Sequence, residues 1–287
     1  MTSRFLPDAL EGAVDLHVHS APDVDPRRFN DIQLATEARN AGMGGLLIKS
    51  HQNSTVERAL LVSQVVPGIT VRGGLVLNET VGGLNPRAVE LAVKLGAAEI
   101  WMPTRSAQNH RRHHGQSGGL SVLDRDGRLT DETEEILRIV AEGGCILGTG
   151  HLSPEEVSIL ARRAKEAGVA RVLITHPEWS ATYYSIEAQR RLAELGGVYF
   201  ERCFVSMTHR CGHTPFATIE RAIGDVGVET TVLATDLGQP DTPAPVDGLR
   251  DYAEQLRASG YSADDLRRMM CLNPAALLAR SERAIPA

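Results

Sequence analysis

Two histidines stand two residues apart at the end of an apolar stretch, in Asp15-Leu16-His17-Val18-His19. Side chains two residues apart on a β-strand point to the same face. Both imidazoles can therefore bind one metal ion, and imidazole is a common ligand of zinc and similar divalent ions. Short His-x-His pairs also occur by chance. Whether this pair belongs to a metal site therefore depends on the residues at the ends of the other predicted strands.

Metal-binding side chains also follow three later apolar stretches: His151, His176 and Asp236 each stand directly after one. The carboxyl ends of parallel barrel strands meet on one face, where barrel enzymes place their active sites. A divalent ion there lowers the pKa of a bound water from 15.7 to about 7. Asp236 would accept the proton of that water, so the pattern predicts hydrolysis of an amide, lactam, lactone or ester of a small molecule.

The elements that position these residues alternate along the chain. Short apolar stretches, typical of buried parallel strands, are separated by helical patterns. Eight such alternations predict a (β/α)8 TIM barrel, with a doubly wound open sheet as the alternative because periodicity does not show closure. The predicted strands are 13–19, 45–50, 70–77, 98–103, 144–150, 171–176, 197–203 and 230–235.

Capping signals mark several helices between these strands. A helical pattern covers 30–42; Asn85-Pro86 begins a helix that Gly96 ends, and Ser153-Pro154 begins another. Further helices are expected from about residue 247 to the C-terminus. No Pro-, Gly- or Ser-rich linker divides the chain, so residues 1–287 are predicted to form one domain.

One long insertion, residues 105–130, follows strand 4 and exceeds the usual connection of roughly 2–6 residues. It contains His110-Arg111-Arg112-His113-His114 and a hairpin pattern that turns at Asp126-Gly127. Such a segment is either a surface insertion or, because it follows the carboxyl end of a strand, a lid or pocket wall.

The ligand pattern resembles the amidohydrolase superfamily of metal-dependent barrel hydrolases, although no subgroup is identified. The resemblance extends over about residues 13–279 and includes the ending Asn273-Pro274-Ala275. It implies that His17, His19 and Asp236 hold the more buried ion and that His151 and His176 hold a second one.

The sequence departs from that family at strand 4, where two-metal members carry a carboxylated lysine. Strand 4 here, Glu99-Ile100-Trp101-Met102-Pro103-Thr104, has no lysine, whereas strand 2 ends with Lys49. A buried lysine has a lowered pKa, and a neutral amine can add carbon dioxide and bridge two metals. Alternatively, Lys49 pairs with Asp236 or binds a substrate anion, and Glu79 is the bridging acid.

Further polar residues are expected at the mouth of the barrel and could bind substrate. They are His51, Arg72, Glu79, Arg105, Glu201 and His209, with His213 nearby. Arg72 and Arg105 favour an alternative function, a mononuclear decarboxylase of the same superfamily. A metal-dependent phosphoesterase or deoxyribonuclease is a third alternative, and a barrel that only binds a ligand is the fourth.

Bulk composition limits the partners. The 287 residues carry a net charge of −6, which disfavours nucleic-acid binding. No stretch approaches the roughly 20 apolar residues that span a membrane, and no signal peptide is evident. The four cysteines are scattered, as in a reduced cytoplasmic protein. We therefore expect a cytoplasmic enzyme with one or two Zn²⁺ ions (or Mn²⁺ or Fe²⁺), a small-molecule substrate and, by family habit, a homo-oligomer.

Overall fold

The computed structural model describes residues 10–279. Eight parallel strands pair in chain order, and each of the eight sequence predictions is confirmed to within two residues at either end. The strands are β1 Val14–Val18, β2 Gly45–Ile48, β3 Thr70–Val76, β4 Glu99–Trp101, β5 Ile146–Gly148, β6 Arg171–Thr175, β7 Val198–Cys203 and β8 Thr231–Ala234.

The sheet closes on itself between its first and last strands. The amide of Asp236 donates to the carbonyl of His17 (2.7 Å) and the amide of His19 donates to that of Leu237 (2.8 Å). The predicted (β/α)8 barrel is therefore confirmed, and the open sheet is wrong. Closure also brings the ends of β1 and β8 together, so that the ligands predicted on them become neighbours.

Helices surround the barrel and follow the strands in order. They are α1 Asp31–Asn40, α2 Val56–Val65, α3 Pro86–Leu95, α4 Gln108–His113, α5 Asp131–Gly143, α6 Pro154–Glu166, α7 Ile186–Ala193, α8 Phe216–Val226, α9 Pro245–Ala258, α10 Ala263–Arg267 and α11 Asn273–Leu278. Within residues 10–279, no helix has the length and apolar character to cross a membrane.

The capping signals act as predicted. The side chain of Asn85 accepts from the amides of Arg87 and Ala88 at the start of α3, and Gly96 ends the helix in the left-handed conformation (φ +100°). Ser153 forms a capping box with Glu156 at the start of α6. Each cap satisfies amide groups that the first helical turn leaves unpaired.

Two kinds of apolar core hold the barrel. The side chains between the strands and the helices form the outer layers, and a smaller cluster fills the barrel itself. Leu277 of α11 joins the interior cluster, and Asn273 donates to the carbonyl of Thr231 at the start of β8 (2.6 Å). The C-terminal helices therefore cover the amino ends of strands and leave the carboxyl ends open.

The insertion after β4 contains a helix that the sequence pattern did not predict, α4. The hairpin expected at Asp126-Gly127 is present in minimal form: Leu123 and Leu129 form one antiparallel bridge, and Gly127 takes φ +74°. This insertion packs over the carboxyl ends of the strands, because α4 brings His110 to His151.

Candidate metal centre

Four predicted ligands converge at the carboxyl end of the barrel, and we call them the Asp236 cluster: His17, His19, His176 and Asp236. Asp236 Oδ1 lies 3.1 Å from His17 Nε2 and 2.8 Å from His19 Nε2. The other carboxylate oxygen, Oδ2, lies 3.2 Å from His176 Nε2. One acid thus contacts three imidazoles from two other strands. His176, which the resemblance assigned with His151 to a second ion, contacts the same carboxylate as His17 and His19.

The donor atoms in this cluster suit a metal ion. One atom each from His17, His19 and Asp236 lie within 4.8 Å of one another. His19 Nε2 forms no hydrogen bond among the described residues, although it lies 2.8 Å from the carboxylate. A buried nitrogen without a hydrogen bond is costly. Two imidazoles and a carboxylate with such spacing fit a zinc-like ion.

A second combination, His17, His176 and Cys203, also falls within 4.8 Å. However, the His17 atom that approaches the sulfur is Nδ1 (3.8 Å), and Nδ1 lies closer to Glu201 Oε2 (2.8 Å). Burial, followed by the charges of Glu201 and Asp236, raises the pKa of Cys203 well above its usual value. Because the thiolate is the metal-binding form, this combination is the poorer site.

The backbone at the cluster is unusual. His176 and Asp236 adopt left-handed conformations with φ +52° and +50°, a region that residues other than glycine rarely occupy. Both residues come directly after a strand, and the turn aims their side chains across the mouth. Two residues later, Gly238 approaches the His19 carbonyl so closely that a Cβ would lie 1.9 Å from its oxygen. This turn therefore requires glycine at position 238.

Charge is strongly coupled inside the cluster. Burial alone would raise the pKa of Asp236, but the charge of His17 and close contacts with His17, His176 and His19 hold it well below its usual value. Burial alone would lower the pKa of His17, but Asp236 and Glu201 outweigh burial and Lys49 and raise it to about 9. Burial lowers the pKa of His19 to about 3.

Lys49 lies inside the barrel mouth, as alternation on strand 2 predicts. Its Nζ lies 2.9 Å from His17 Nε2 and 5.4 Å from the centre of the Trp101 ring, and the side chain is fully buried. Burial lowers its pKa, opposed by the charges of Asp236 and Glu201. Lys49 is thus in direct contact with the Asp236 cluster although it comes from β2.

Glu201 does not line the mouth as a substrate ligand, contrary to expectation. It is fully buried behind His17, and its Oε2 lies 2.8 Å from His17 Nδ1. A carboxylate in this position fixes the tautomer of a metal-binding histidine and turns its other nitrogen toward the ion. Glu201 lies in the middle of β7, and no sequence pattern indicated that it would contact His17.

His151 follows β5, with its ring centre 5.6 Å from that of His176, and it has a different partner from the Asp236 cluster. Its Nδ1 lies 2.9 Å from Nδ1 of His110 in α4, and its buried Nε2 has no partner among the described residues. Trp179 packs edge-on against His151, with ring centres 5.0 Å apart. Burial and His110 lower the pKa of His151 well below its usual value. His151 is in neither of the two groups of converging ligands found in the described part of the chain.

His51 is also at the mouth. Its ring stacks on that of His19 with centres 5.0 Å apart, and Nδ1 lies 2.9 Å from Thr104 Oγ1. Burial lowers its pKa well below the usual value, so the ring is neutral. Thr104 in turn contacts Asn78 (2.7 Å).

The remaining predicted pocket residues are not brought to the cluster. The prediction that Arg72 lies at the mouth is wrong, because Arg72 is exposed near the amino end of β3. The other three form exposed ion pairs around the rim: Arg105 with Asp25 (2.6 Å), Glu79 with Arg111 (2.6 Å) and His209 with Asp241 (3.0 Å). His213 is likewise exposed.

Several residues at the mouth were missed by the sequence reasoning. His110 was noted only as part of the insertion, although its histidine-rich run was a signal. Asn78 and Thr104 directly follow the predicted strands 70–77 and 98–103, so the strand-end argument applied to them as well. Glu99 is fully buried, and neither of its carboxylate oxygens has a hydrogen-bond partner in the described part of the chain. Burial, with the charge of Glu201, raises its pKa well above the usual value.

Comparison with known proteins places the chain in a family. Residues 12–201 match a family of unknown function, DUF6282, and the chain belongs to that family. No curated protein matches it in sequence.

Solved structures share the fold over nearly the whole chain. An amidohydrolase from Pseudomonas aeruginosa has 13% identity, covers 95% of this chain and 97% of its own, and gives a TM-score of 0.63. The phosphotriesterase homology protein from Escherichia coli, complexed with phosphate in its active site, has 16% identity, coverage of 96% and 100%, and a TM-score of 0.59. A metallopeptidase, dipeptidase AC, has 13% identity, the same coverages and a TM-score of 0.59. At these identities the likeness shows the fold, which is the barrel fold that the resemblance to the amidohydrolase superfamily implied.

Proposed function

We propose that this protein is a metal-dependent hydrolase that uses water to cleave an amide, lactam, lactone or ester bond of a small molecule. The observation that carries the proposal is the convergence of His17, His19 and Asp236 within 4.8 Å, with buried His19 Nε2 lacking a hydrogen bond. Such a donor set suits Zn²⁺, and Mn²⁺ or Fe²⁺ are the alternatives.

The metal would be held by His17, His19 and Asp236, with His176 beside them. When bound, a divalent ion supplies Lewis acidity, which makes a nearby water more acidic and polarises a carbonyl group. Asp236 would take the proton from the attacking water and deliver it to the leaving group. Its depressed pKa keeps it ionised at neutral pH. Glu201 would keep His17 in the tautomer whose Nε2 faces the ion.

The names of the structural neighbours support this class of reaction. They include an amidohydrolase, a weak promiscuous lactonase engineered for organophosphate hydrolysis, and a metallopeptidase. All of these are hydrolases, although they differ in the bond cleaved. We carry over only the hydrolytic use of water to this chain.

A second ion would require His151, His176 and a bridging anion, for which Lys49 is the candidate. Its amine would add carbon dioxide and release one proton to form a carbamate. Burial favours the neutral amine that this reaction needs. The test is ¹³C NMR of protein equilibrated with ¹³C-bicarbonate: a carbamate signal that Lys49→Met abolishes supports the bridge, and its absence from metal-loaded protein contradicts it.

Decarboxylation is the weaker alternative. It depended on spare arginines for a substrate carboxylate, but Arg72 is exposed away from the mouth and Arg105 pairs with Asp25. Neither arginine contacts the Asp236 cluster.

The deciding experiment measures zinc per chain and hydrolysis of a panel containing a lactone, an aryl ester, a dipeptide and a phosphotriester. We expect bound zinc and turnover of a carboxylic acid derivative. Asp236→Asn should lower kcat by about 10²–10⁴-fold, the usual contribution of a general base. Asp241→Asn, an exposed acid on the same loop, is the matched control and should change little. Absence of bound zinc, manganese and iron, or full activity of zinc-loaded Asp236→Asn, would refute the proposal.

A further inference from the structure

A chain of hydrogen bonds joins the carboxyl ends of β2, β3 and β4 beside the Asp236 cluster. It consists of His51, Asn78 and Thr104, and all three side chains are buried. Each polar group in the chain has a restricted set of partners. Their protons can therefore be assigned one after another, from Asn78 to His51.

The orientation of the Asn78 amide is fixed by the backbone. Its Oδ1 accepts from the amides of Thr104 (2.9 Å) and Ser106 (3.1 Å). Because an amide N–H can only donate, the oxygen must be the atom that faces these two groups. Nδ2 consequently donates both of its protons, to the carbonyl of His51 (2.9 Å) and to Thr104 Oγ1 (2.7 Å).

The hydroxyl of Thr104 transmits this orientation to His51. Thr104 Oγ1 accepts from Asn78 and lies 2.9 Å from His51 Nδ1. If its proton goes to Nδ1, the hydroxyl both accepts and donates a hydrogen bond. If Nδ1 carried the proton instead, the fully buried hydroxyl would have no acceptor among the described residues, and an unpaired buried donor is costly. A neutral His51 therefore carries its proton on Nε2.

The Nε2–H group has no partner of its own. No hydrogen bond of His51 Nε2 occurs within residues 10–279, and the ring stacks on His19 at 5.0 Å and lies 6.2 Å from the ring of His151. The group is thus a donor adjacent to the candidate metal centre. A nitrogen that carries a proton is not a metal ligand, which argues against a ligand role for His51.

We propose that His51 is a catalytic residue that donates a hydrogen bond from Nε2 to the substrate oxygen that becomes negatively charged, and that Thr104 and Asn78 are positioning residues that hold this tautomer. The inference rests on the proposed hydrolysis and adds to it a hydrogen-bond donor for the oxyanion that forms from the carbonyl oxygen of the substrate. A preorganised donor of this kind stabilises the charge that develops in the transition state.

The first test is the tautomer itself. Long-range ¹H–¹⁵N correlation spectra of protein labelled with ¹⁵N-histidine, recorded with and without zinc, should show His51 protonated at Nε2 and bare at Nδ1. Thr104→Val should remove this preference. Thr175→Val, which removes a buried hydroxyl with no partner among the described residues, is the matched control. Protonation of Nδ1 alone in the wild type, or coordination of zinc by Nε2, would overturn the proposal.

The second test is the effect on catalysis. With dihydrocoumarin, an aromatic lactone, His51→Leu should lower kcat by about 10²–10³-fold, as loss of one such donor does, with KM and bound zinc nearly unchanged. His51→Gln, which keeps a donor, should recover part of the rate. A His51→Leu variant that retains zinc and wild-type kcat would overturn the proposal.

The two proposals fail in different ways. Failure to bind metal would refute the proposed hydrolase. It would not prevent the test of His51, because the tautomer is also measured on metal-free protein. If zinc binds but no lactone is cleaved, inorganic phosphate serves as the oxyanion probe: its addition should shift the His51 Nε2 resonance. An unshifted resonance at saturating phosphate would count against donation to an oxyanion.

Discussion

The two sides of the barrel mouth use histidine differently. On the β1, β6 and β8 side, three imidazoles face one shared carboxylate, that of Asp236. On the β2, β4 and β5 side, the imidazoles have separate partners: His51 contacts Thr104, and His151 contacts His110. On the first side, the candidate ligands of one ion contact one another. On the second side, each histidine is held by its own hydrogen bond.

This difference bears on the number of metal ions. An ion at the Asp236 cluster would find its ligands already gathered. A second ion would have to separate His151 from His110 or use the other nitrogen of His151. It would also need a bridging anion, and β4 carries no lysine that could form a carbamate. We therefore expect the first ion to bind more tightly than the second.

The largest expected effect separates the two sides directly. His19→Ala should abolish tight zinc binding, because each of three ligands contributes several kcal/mol on the scale of about 10–16 kcal/mol for a structural zinc site. His151→Ala should retain one zinc. Metal analysis after dialysis against a weak chelator measures both. Loss of all zinc from His151→Ala would reverse the assignment of the tighter site.

On the β1–β8 side, a pH effect on stability is expected from Asp15. Burial raises the pKa of Asp15 from 3.8 to about 6, although hydrogen bonds from Thr235 and His17 oppose the shift. Between about pH 4 and pH 6, folded Asp15 keeps a proton that it has lost in the unfolded state. The contribution of Asp15 to the free energy of unfolding therefore decreases as the pH rises from about 4 to 6, and it is constant above pH 6. Two pKa units correspond to about 3 kcal/mol.

The check for Asp15 is urea unfolding of metal-free wild type and Asp15→Asn between pH 4 and 7. Between pH 4 and pH 6, the free energy of unfolding of Asp15→Asn should increase by about 3 kcal/mol relative to that of the wild type. A difference independent of pH would show that Asp15 titrates normally.

The smallest effect concerns the orientation of His17. Glu201→Gln should weaken zinc binding by about 10–100-fold without removing a ligand, as outer-shell substitutions do. Chelator competition measures this affinity, and exposed Glu187→Gln on α7 is the control. Equal affinities for Glu201→Gln and wild type would mean that His17 needs no support from β7.

The strand ends were predictable because parallel strands in a closed barrel must bring their carboxyl ends together. That single rule located His17, His19, His176 and Asp236, and it also placed Lys49 at the mouth. It did not determine which nitrogen of each ring faces which partner, since that depends on contacts across the barrel. Glu201 was misjudged for this reason: it was predicted to contact substrate, but it contacts His17 from behind.

Other errors had different physical causes. Arg72 was expected at the mouth, but it is the third residue of β3 and lies near the amino end of that strand. Its place in the predicted strand 70–77 already indicated this position, because the mouth lies at the carboxyl ends of the strands. His110 reaches His151 through α4, a helix of six residues inside a long insertion. So short a helix is stabilised by its tertiary contacts more than by its own sequence.

The left-handed backbone of His176 and Asp236 has a consequence for how this protein evolves. A non-glycine residue in that conformation destabilises the fold by roughly 1–3 kcal/mol, and glycine would relieve it. Selection for abundance alone should therefore enrich glycine at both positions, while selection for turnover should retain the histidine and the aspartate. Deep mutational scanning under these two selections would separate the residues kept for folding from those kept for chemistry.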